Sequence, residues 1–353
     1  MQIDLSEVVR MVTAGALVAA GAVPVGLVAY AFRPRSEALL PRWKPFPVPW
    51  SGFEVTVIFL AIVFVIPPTA LQLLDSGGFF QFVYGDGFPP LRAKDLPAEQ
   101  KAEAWTLRGL WAGLFALPIV LGLLALVRYS LHARWRPAAN GSVPSKITLA
   151  VAAWLLVTPA VLLLNAVVNA VAVSIGVPPE THSLTKLGER PPLDQILLAL
   201  GACVVAPLSE EVLFRGIILW WGMGRIRFPG LGVKPVTGIR PWLVILVAGL
   251  VTAAGPGGES LGGKWQAVTF AAVLVVGLAV LYRVKRTGIR RAGAVYATAA
   301  FFALVHPTWP NPIALFALGL ALGYLAARTN GLLVPVLVHS LFNAVSVVYV
   351  LRG

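Results

Sequence analysis

Apolar runs long enough to cross a bilayer as helices recur along this chain, and nothing else limits its possible folds so sharply. A helix needs about 20 predominantly apolar residues to cross roughly 30 Å of hydrocarbon, whereas a membrane β-barrel would show alternating segments of about 10 residues. The second pattern is not found in the sequence. The 353 residues are 58% hydrophobic and 12% charged, with a mean hydropathy of +0.81, far from an ordinary soluble domain. The expected fold is all-α, a polytopic transmembrane helix bundle of about ten spans. They are read at about 11 to 32, 52 to 74, 107 to 127, 147 to 176, 195 to 223, 241 to 255, 265 to 282, 292 to 306, 311 to 328 and 331 to 351. The first run, after Arg10, is too long and too poor in a cleavage site for a removable signal, so it is kept as a span.

The formal charge is +13, but in such a chain basic residues serve mainly as topology signals, and nucleic acid is not expected as a partner. Their distribution supports the span reading. Loops at 33–44, 128–146, 225–240 and 283–291, with Arg328, hold 18 basic residues, and the opposite set of loops holds 7, among them Arg108 at the start of the third span. The richer set is assigned to the cytoplasm and both termini to the outside, giving a multi-pass protein of a prokaryotic inner (plasma) membrane with lipid around it. The single cysteine, Cys203, rules out an internal disulfide and is expected to pack in its helix. His132 and His182 fall in loops.

Three polar constellations interrupt this apolar pattern: Glu210-Glu211-x-x-x-Arg215, His306 four residues after Phe302, and His339-x-x-x-Asn343. Ionisable groups inside a span cost several kcal/mol unless they pair or face a wet cavity, so three of them suggest a constructed site. On a helix Glu211 and Arg215 share a face and can neutralise each other, while Glu210 points about 100° away. Pro207, one turn earlier, should leave the carbonyl of Cys203 without a donor and bend the span. His306 closes its helix directly before Pro307, and Phe302, one turn back, is given a steric role. His339 and Asn343, four apart, project from one face of the last span. Asn165 and Asn169, with the same spacing, are read as interhelical glue. At 1.5 Å per residue, Glu210, His306, His339 and Asn343 all fall within about two helical turns of one depth.

Two hydrolytic chemistries suit this set. In one, Glu210 and His306 polarise a water that attacks a peptide carbonyl, and His339 with Asn343 donates to the oxyanion. In the other, Glu210, His306 and His339 hold Zn²⁺, which lowers the pKa of that water. The absence of H-E-x-x-H favours the metal-free version. No G-x-S-x-G, P-loop or dinucleotide-binding glycine motif is present in a suitable context. A proton-coupled transporter would also use buried Glu, Arg and His, but no internal repeat is apparent. A non-catalytic membrane protein of immunity type is the third reading.

Glu210-Glu211-Val212-Leu213-Phe214-Arg215, Phe302-Ala303-Leu304-Val305-His306 and His339-Ser340-Leu341-Phe342-Asn343, in this order, resemble the motifs of the CPBP family. These are the CAAX prenyl proteases and bacteriocin-processing proteins, also called the Abi family. The resemblance covers about 195 to 353. It implies a helical membrane fold with a cavity open to membrane and cytosol, and endopeptidase activity on a membrane-associated peptide or protein. By the same analogy Glu210 and His306 activate water, His339 and Asn343 form the oxyanion site, and the enzyme is either glutamate-dependent or a metalloendopeptidase. On this reading 1–190 is an N-terminal region of four spans. Residues 191–353 are the protease core, and 225–290 is an insertion that separates the first two motifs more widely than the family does.

Overall fold

The computed structural model describes residues 52–89, 97–130, 142–174, 190–223, 290–306 and 311–352, and among these the chain is all-helical, with no strand. The expected spans at 11 to 32, 241 to 255 and 265 to 282 lie outside the described residues, as do His132 and His182. Among the described residues, six helical stretches are long and apolar enough to cross a membrane: Glu54–Ser76, Glu103–Ala125, Val143–Ala170, Pro192–Gly222, Pro312–Thr329 and Leu333–Leu351. This is a multi-pass membrane protein.

In chain order, Gly52–Leu60, Ala61–Val65 and Ile66–Ser76 run on as α1, whose middle part is a π-helical turn. Pro67 and Pro68 explain the turn. Neither has an N–H to continue the i→i−4 ladder, and the Ile66 N–H reaches back to Ala61 O instead. A turn at Gly77 and Gly78, the latter at φ 70, leads into the short α2, Phe79–Tyr84. A left-handed residue suits glycine, which has no Cβ to clash. Then come α3, Ala98–Ser130, and α4, Val143–Ser174. The fifth helix, α5, is built from Pro192–Leu200, Gly201–Val205, Ala206–Glu210, Glu211–Ile218 and Leu219–Met223 without a break. It is followed by α6, Arg290–Leu304, α7, Asn311–Thr329, and α8, Leu333–Arg352. Over its 15 described residues, α6 covers about 22 Å by helical rise.

α5 touches α3, α6, α7 and α8, and it carries the site. One core cluster joins α1, α5 and α6 through Phe59, Phe214, Ile218, Trp221, Phe301 and Phe302. A second joins α4, α7 and α8 through Val161, Leu318, Leu322, Val338 and Phe342. α6 and α7 pack so closely that a Cβ on Gly319 would lie 3.1 Å from both Ala299 Cα and Cβ, and one on Gly323 would lie 3.1 Å from Val295 Cγ1. Small residues four apart are the usual means for membrane helices to approach at backbone distance. Many large apolar side chains point outward, such as Leu155 and Val173, as a lipid-facing surface requires.

Polar groups fasten the neighbouring ends of α1, α2 and α3 to the start of α5. Tyr84 Oη donates to Asp194 Oδ1 at 2.9 Å and accepts from Trp111 Nε1 at 3.1 Å. Burial pushes the Tyr84 phenol up to about 12. Arg190 pairs with Glu103. Arg108, expected at a loop boundary, is instead buried within α3, where it pairs with Asp75 at 3.1 Å, donates to Pro89 O and lies over the rings of Phe80 and Phe88. Asn165, read as interhelical glue, buries its Oδ1 without a hydrogen-bond donor among the described residues.

Candidate active site

The local shape of α5 decides where its carboxylates point. Before Pro207 the helix widens into the π turn Gly201–Val205, and the Ala206 N–H bonds to Gly201 O, five residues back. In that register the next carbonyl, Ala202 O, would need the N–H of residue 207, which proline lacks. The carbonyl that takes a side-chain donor is therefore that of Ala202, one residue earlier than the α-helical register of Cys203. It accepts from Asn343 Nδ2 at 2.7 Å. Cys203 itself is free and packs, half-buried, against the cluster around Leu197 and Leu198.

One turn beyond Pro207 the two glutamates diverge. Glu211 turns inward, where its Oε1 accepts from Arg215 Nη1 at 2.8 Å, both side chains being fully buried. Arg215 Nη2 also donates to Gly319 O at 3.3 Å, and its guanidinium lies 4.5 Å over the ring of Phe302. Glu211 Oε1 lies 3.0 Å from His339 Nδ1. Two carboxylate-linked donors on one oxygen form the kind of charge-assisted network that fixes side-chain orientation. Because a carboxylate only accepts, His339 Nδ1 carries the proton of that bond, and its Nε2 is left to face the other glutamate.

Glu210 faces that other way. Its Oε1 lies 3.8 Å from His306 Nε2 and its Oε2 lies 3.8 Å from His339 Nε2. Oε2 is buried and accepts no hydrogen bond among the described residues. His306 is held by the end of α6, where His306 N bonds to Ala303 O at 3.2 Å in a tighter closing turn and its Nδ1 lies 2.6 Å from Phe302 O. That carbonyl likewise fixes the proton on Nδ1 and presents Nε2 to Glu210. Phe302, 1% exposed, fits between the two imidazoles with ring centroids 4.8 Å from His306 and 5.7 Å from His339. The side chains of His306 and Glu210 are 32% and 25% exposed, against 4% for His339, so the site opens on the side of Glu210 and His306.

Glu210, Glu211, Arg215, His306 and His339 thus meet in one cluster drawn from α5, α6 and α8. Asn343 belongs to its edge, with its amide on the α5 backbone. Sequence reasoning missed two parts. Gly319 supplies a carbonyl to Arg215, a role visible only as the small-residue spacing Gly319-x-x-x-Gly323. The Ala202 carbonyl leaves no side-chain signal, although Pro207 marks its neighbourhood. One carboxylate and two imidazoles are donors that Zn²⁺ accepts. Among the described residues, however, no three His, Cys, Asp or Glu side chains are grouped to hold one ion.

Comparison with protein families agrees with the motif order. Residues 192–289 and 281–345 match the model of the type II CAAX prenyl endopeptidase Rce1-like family. No curated protein and no solved structure matches the chain. The matched stretch contains all three motifs and the whole of the cluster just described. Over residues 192–345 this membrane protein is similar to the type II CAAX prenyl endopeptidase Rce1-like family, the likeness that the three motifs had suggested.

Proposed function

We propose that the protein is an intramembrane endopeptidase in which Glu210 and His306 activate a water and His339 stabilises the oxyanion. The observation that carries this reading is the convergence of both imidazole Nε2 atoms on the two oxygens of Glu210, 3.8 Å each. A water bonded to Glu210 Oε1 and His306 Nε2 attacks the peptide carbonyl carbon, and Glu210 takes its proton. The developing oxyanion receives a hydrogen bond from His339 in its doubly protonated form, with Nδ1 still bound to Glu211. Collapse of the tetrahedral intermediate breaks the C–N bond, and the proton held by Glu210 passes to the leaving nitrogen. Donors aimed at developing charge in a water-poor site are typically worth 10²–10³ in kcat each.

Glu211 and Arg215 touch no reacting atom in this scheme. They fix the orientation and tautomer of His339, as second groups behind a functional histidine commonly do. Asn343, whose amide donates to Ala202 O, stands at the edge of the site and holds α8 against α5. The substrate class that fits is a membrane-associated or prenylated protein or peptide cut near the bilayer surface. The setting is an inner (plasma) membrane, with about ten spans in all: a region of four spans over 1–190 and the protease core over 191–353, interrupted by 225–290.

The test is cleavage of a membrane-anchored peptide library by the full chain purified in lipid nanodiscs. Wild type is expected to cut, His306→Ala to lose activity, and 1,10-phenanthroline to leave the rate unchanged. Cleavage that persists in His306→Ala would overturn the assignment. Inhibition by the chelator, reversed by Zn²⁺, would replace the metal-free scheme with a zinc-dependent one.

A further inference from the structure

α5 and α8 are joined by two polar links, and only one of them lies in the reactive cluster. The inner link is His339 Nδ1 to Glu211 Oε1 at 3.0 Å, and the outer is Asn343 Nδ2 to Ala202 O at 2.7 Å. The outer link has a specific cause in the backbone. The π turn commits the Ala206 N–H to Gly201 O, and the proline at 207 brings no N–H to the following position. A backbone carbonyl at membrane depth without a donor costs several kcal/mol, and here a side chain supplies one. Asn343 is suited to this because its amide donates and it stands one turn beyond His339 on the same face of α8. The widened turn that this bond secures leads directly into Ala206–Glu210, the segment that aims Glu210.

We infer that Asn343 is a positioning residue: its amide replaces the N–H missing at Pro207, and by holding α8 against the widened turn of α5 it sets the direction of Glu210. This rests on the hydrolytic reading of the site and assigns Asn343 a duty separate from any hydrogen bond to the oxyanion. The two duties make different demands. An oxyanion donor is needed whatever residue stands at 207, whereas a carbonyl cap becomes redundant once the backbone regains its own N–H.

A double-mutant cycle between Pro207→Ala and Asn343→Ala in the full chain separates them. Asn343→Ala is expected to lower kcat at least tenfold, with little change in KM, and to lower the thermal midpoint in nanodiscs. In the Pro207→Ala background the same substitution is expected to change kcat less than threefold and to leave the midpoint nearly unshifted. Asn343→Asp, which offers no donor and sets a carboxylate against the carbonyl, should be worse than alanine with Pro207 in place. Equal losses on replacing Asn343 in both backgrounds, in rate and in midpoint, would overturn the inference. The midpoint cycle needs no substrate. If wild type cleaves nothing, the protease reading fails, while the role of Asn343 as a carbonyl cap is still decided.

Discussion

Removing either partner of the Glu211–Arg215 pair should destabilise this protein more than any other single polar change in the site. The Glu211 and Arg215 side chains are both 0% exposed and share one 2.8 Å hydrogen bond. Without the carboxylate, Arg215 keeps Gly319 O at 3.3 Å and the ring faces of Phe302 at 4.5 Å and Phe214 at 5.8 Å, and its Nε already lacks an acceptor among the described residues. Breaking a buried pair from one side typically costs about 3–5 kcal/mol, because a charge is left without its partner. At 1.4 kcal/mol per tenfold, that is a shift of about 10³ in the folding equilibrium, a large part of a total stability of about 5–15 kcal/mol. The assay is reversible unfolding in mixed detergent micelles, comparing wild type, Glu211→Ala, Arg215→Ala and the apolar pair Glu211→Leu/Arg215→Met. Each single variant should lose about 3 kcal/mol or more. The double variant should recover most of the stability, since replacing both ions with hydrocarbon is often neutral or better, but it should stay inactive because His339 loses the bond that orients it. Single variants within about 1 kcal/mol of wild type, in the range of an exposed pair, would refute the claim that this ion pair is buried and uncompensated.

Two other expectations follow from the geometry. Gly319→Leu puts side-chain atoms where Ala299 Cα, Cβ and O already lie within 3.2 Å of the Cβ position, so α6 and α7 must separate. It should cost about 1–3 kcal/mol in the same assay, and an unchanged stability would show that the two helices do not meet there. Tyr84, whose phenol is held up at about 12 by burial, should keep its proton through pH 10–11, where exposed tyrosines titrate. Because the folded value lies above the ordinary value of about 10, the stabilisation is complete below about pH 10 and is lost as pH rises towards 12. The wild-type minus Tyr84→Phe difference in tyrosinate absorbance should therefore rise near pH 12, and a rise near pH 10 would contradict the buried link to Asp194 and Trp111.

Much of the fold and most of the site were legible in the sequence, for reasons that can be given residue by residue. Long apolar runs located helices to within a few residues, as with 52 to 74 against Glu54–Ser76 and 331 to 351 against Leu333–Leu351. Ionisable residues at membrane depth stand out because they are costly there, and so Glu210, Glu211, Arg215, His306 and His339 could be picked out before any coordinates. Their i, i+4 spacing also anticipated the Glu211–Arg215 pair. Features set by backbone register were not legible. The π turn at Gly201–Val205 moves the carbonyl that needs a donor from Cys203 to Ala202 and draws Asn343 to it, and hydropathy carries no trace of such a slip. Arg108 was misread for a related reason: a charge near a span end looks like a topology signal, whereas Asp75, Phe80 and Phe88 enclose it. The spans at 11 to 32, 241 to 255 and 265 to 282 lie outside the described residues.

The central claim is that the Glu210 carboxylate, met by His306 and His339, is the base of the reaction. Single-turnover cleavage by Glu210→Gln addresses it most directly, because the amide keeps the shape of the side chain and removes only its capacity to take a proton. The rate should fall about 10³-fold or more, within the range of general-base and electrostatic contributions combined, with the thermal midpoint unchanged. A rate within tenfold of wild type would contradict it.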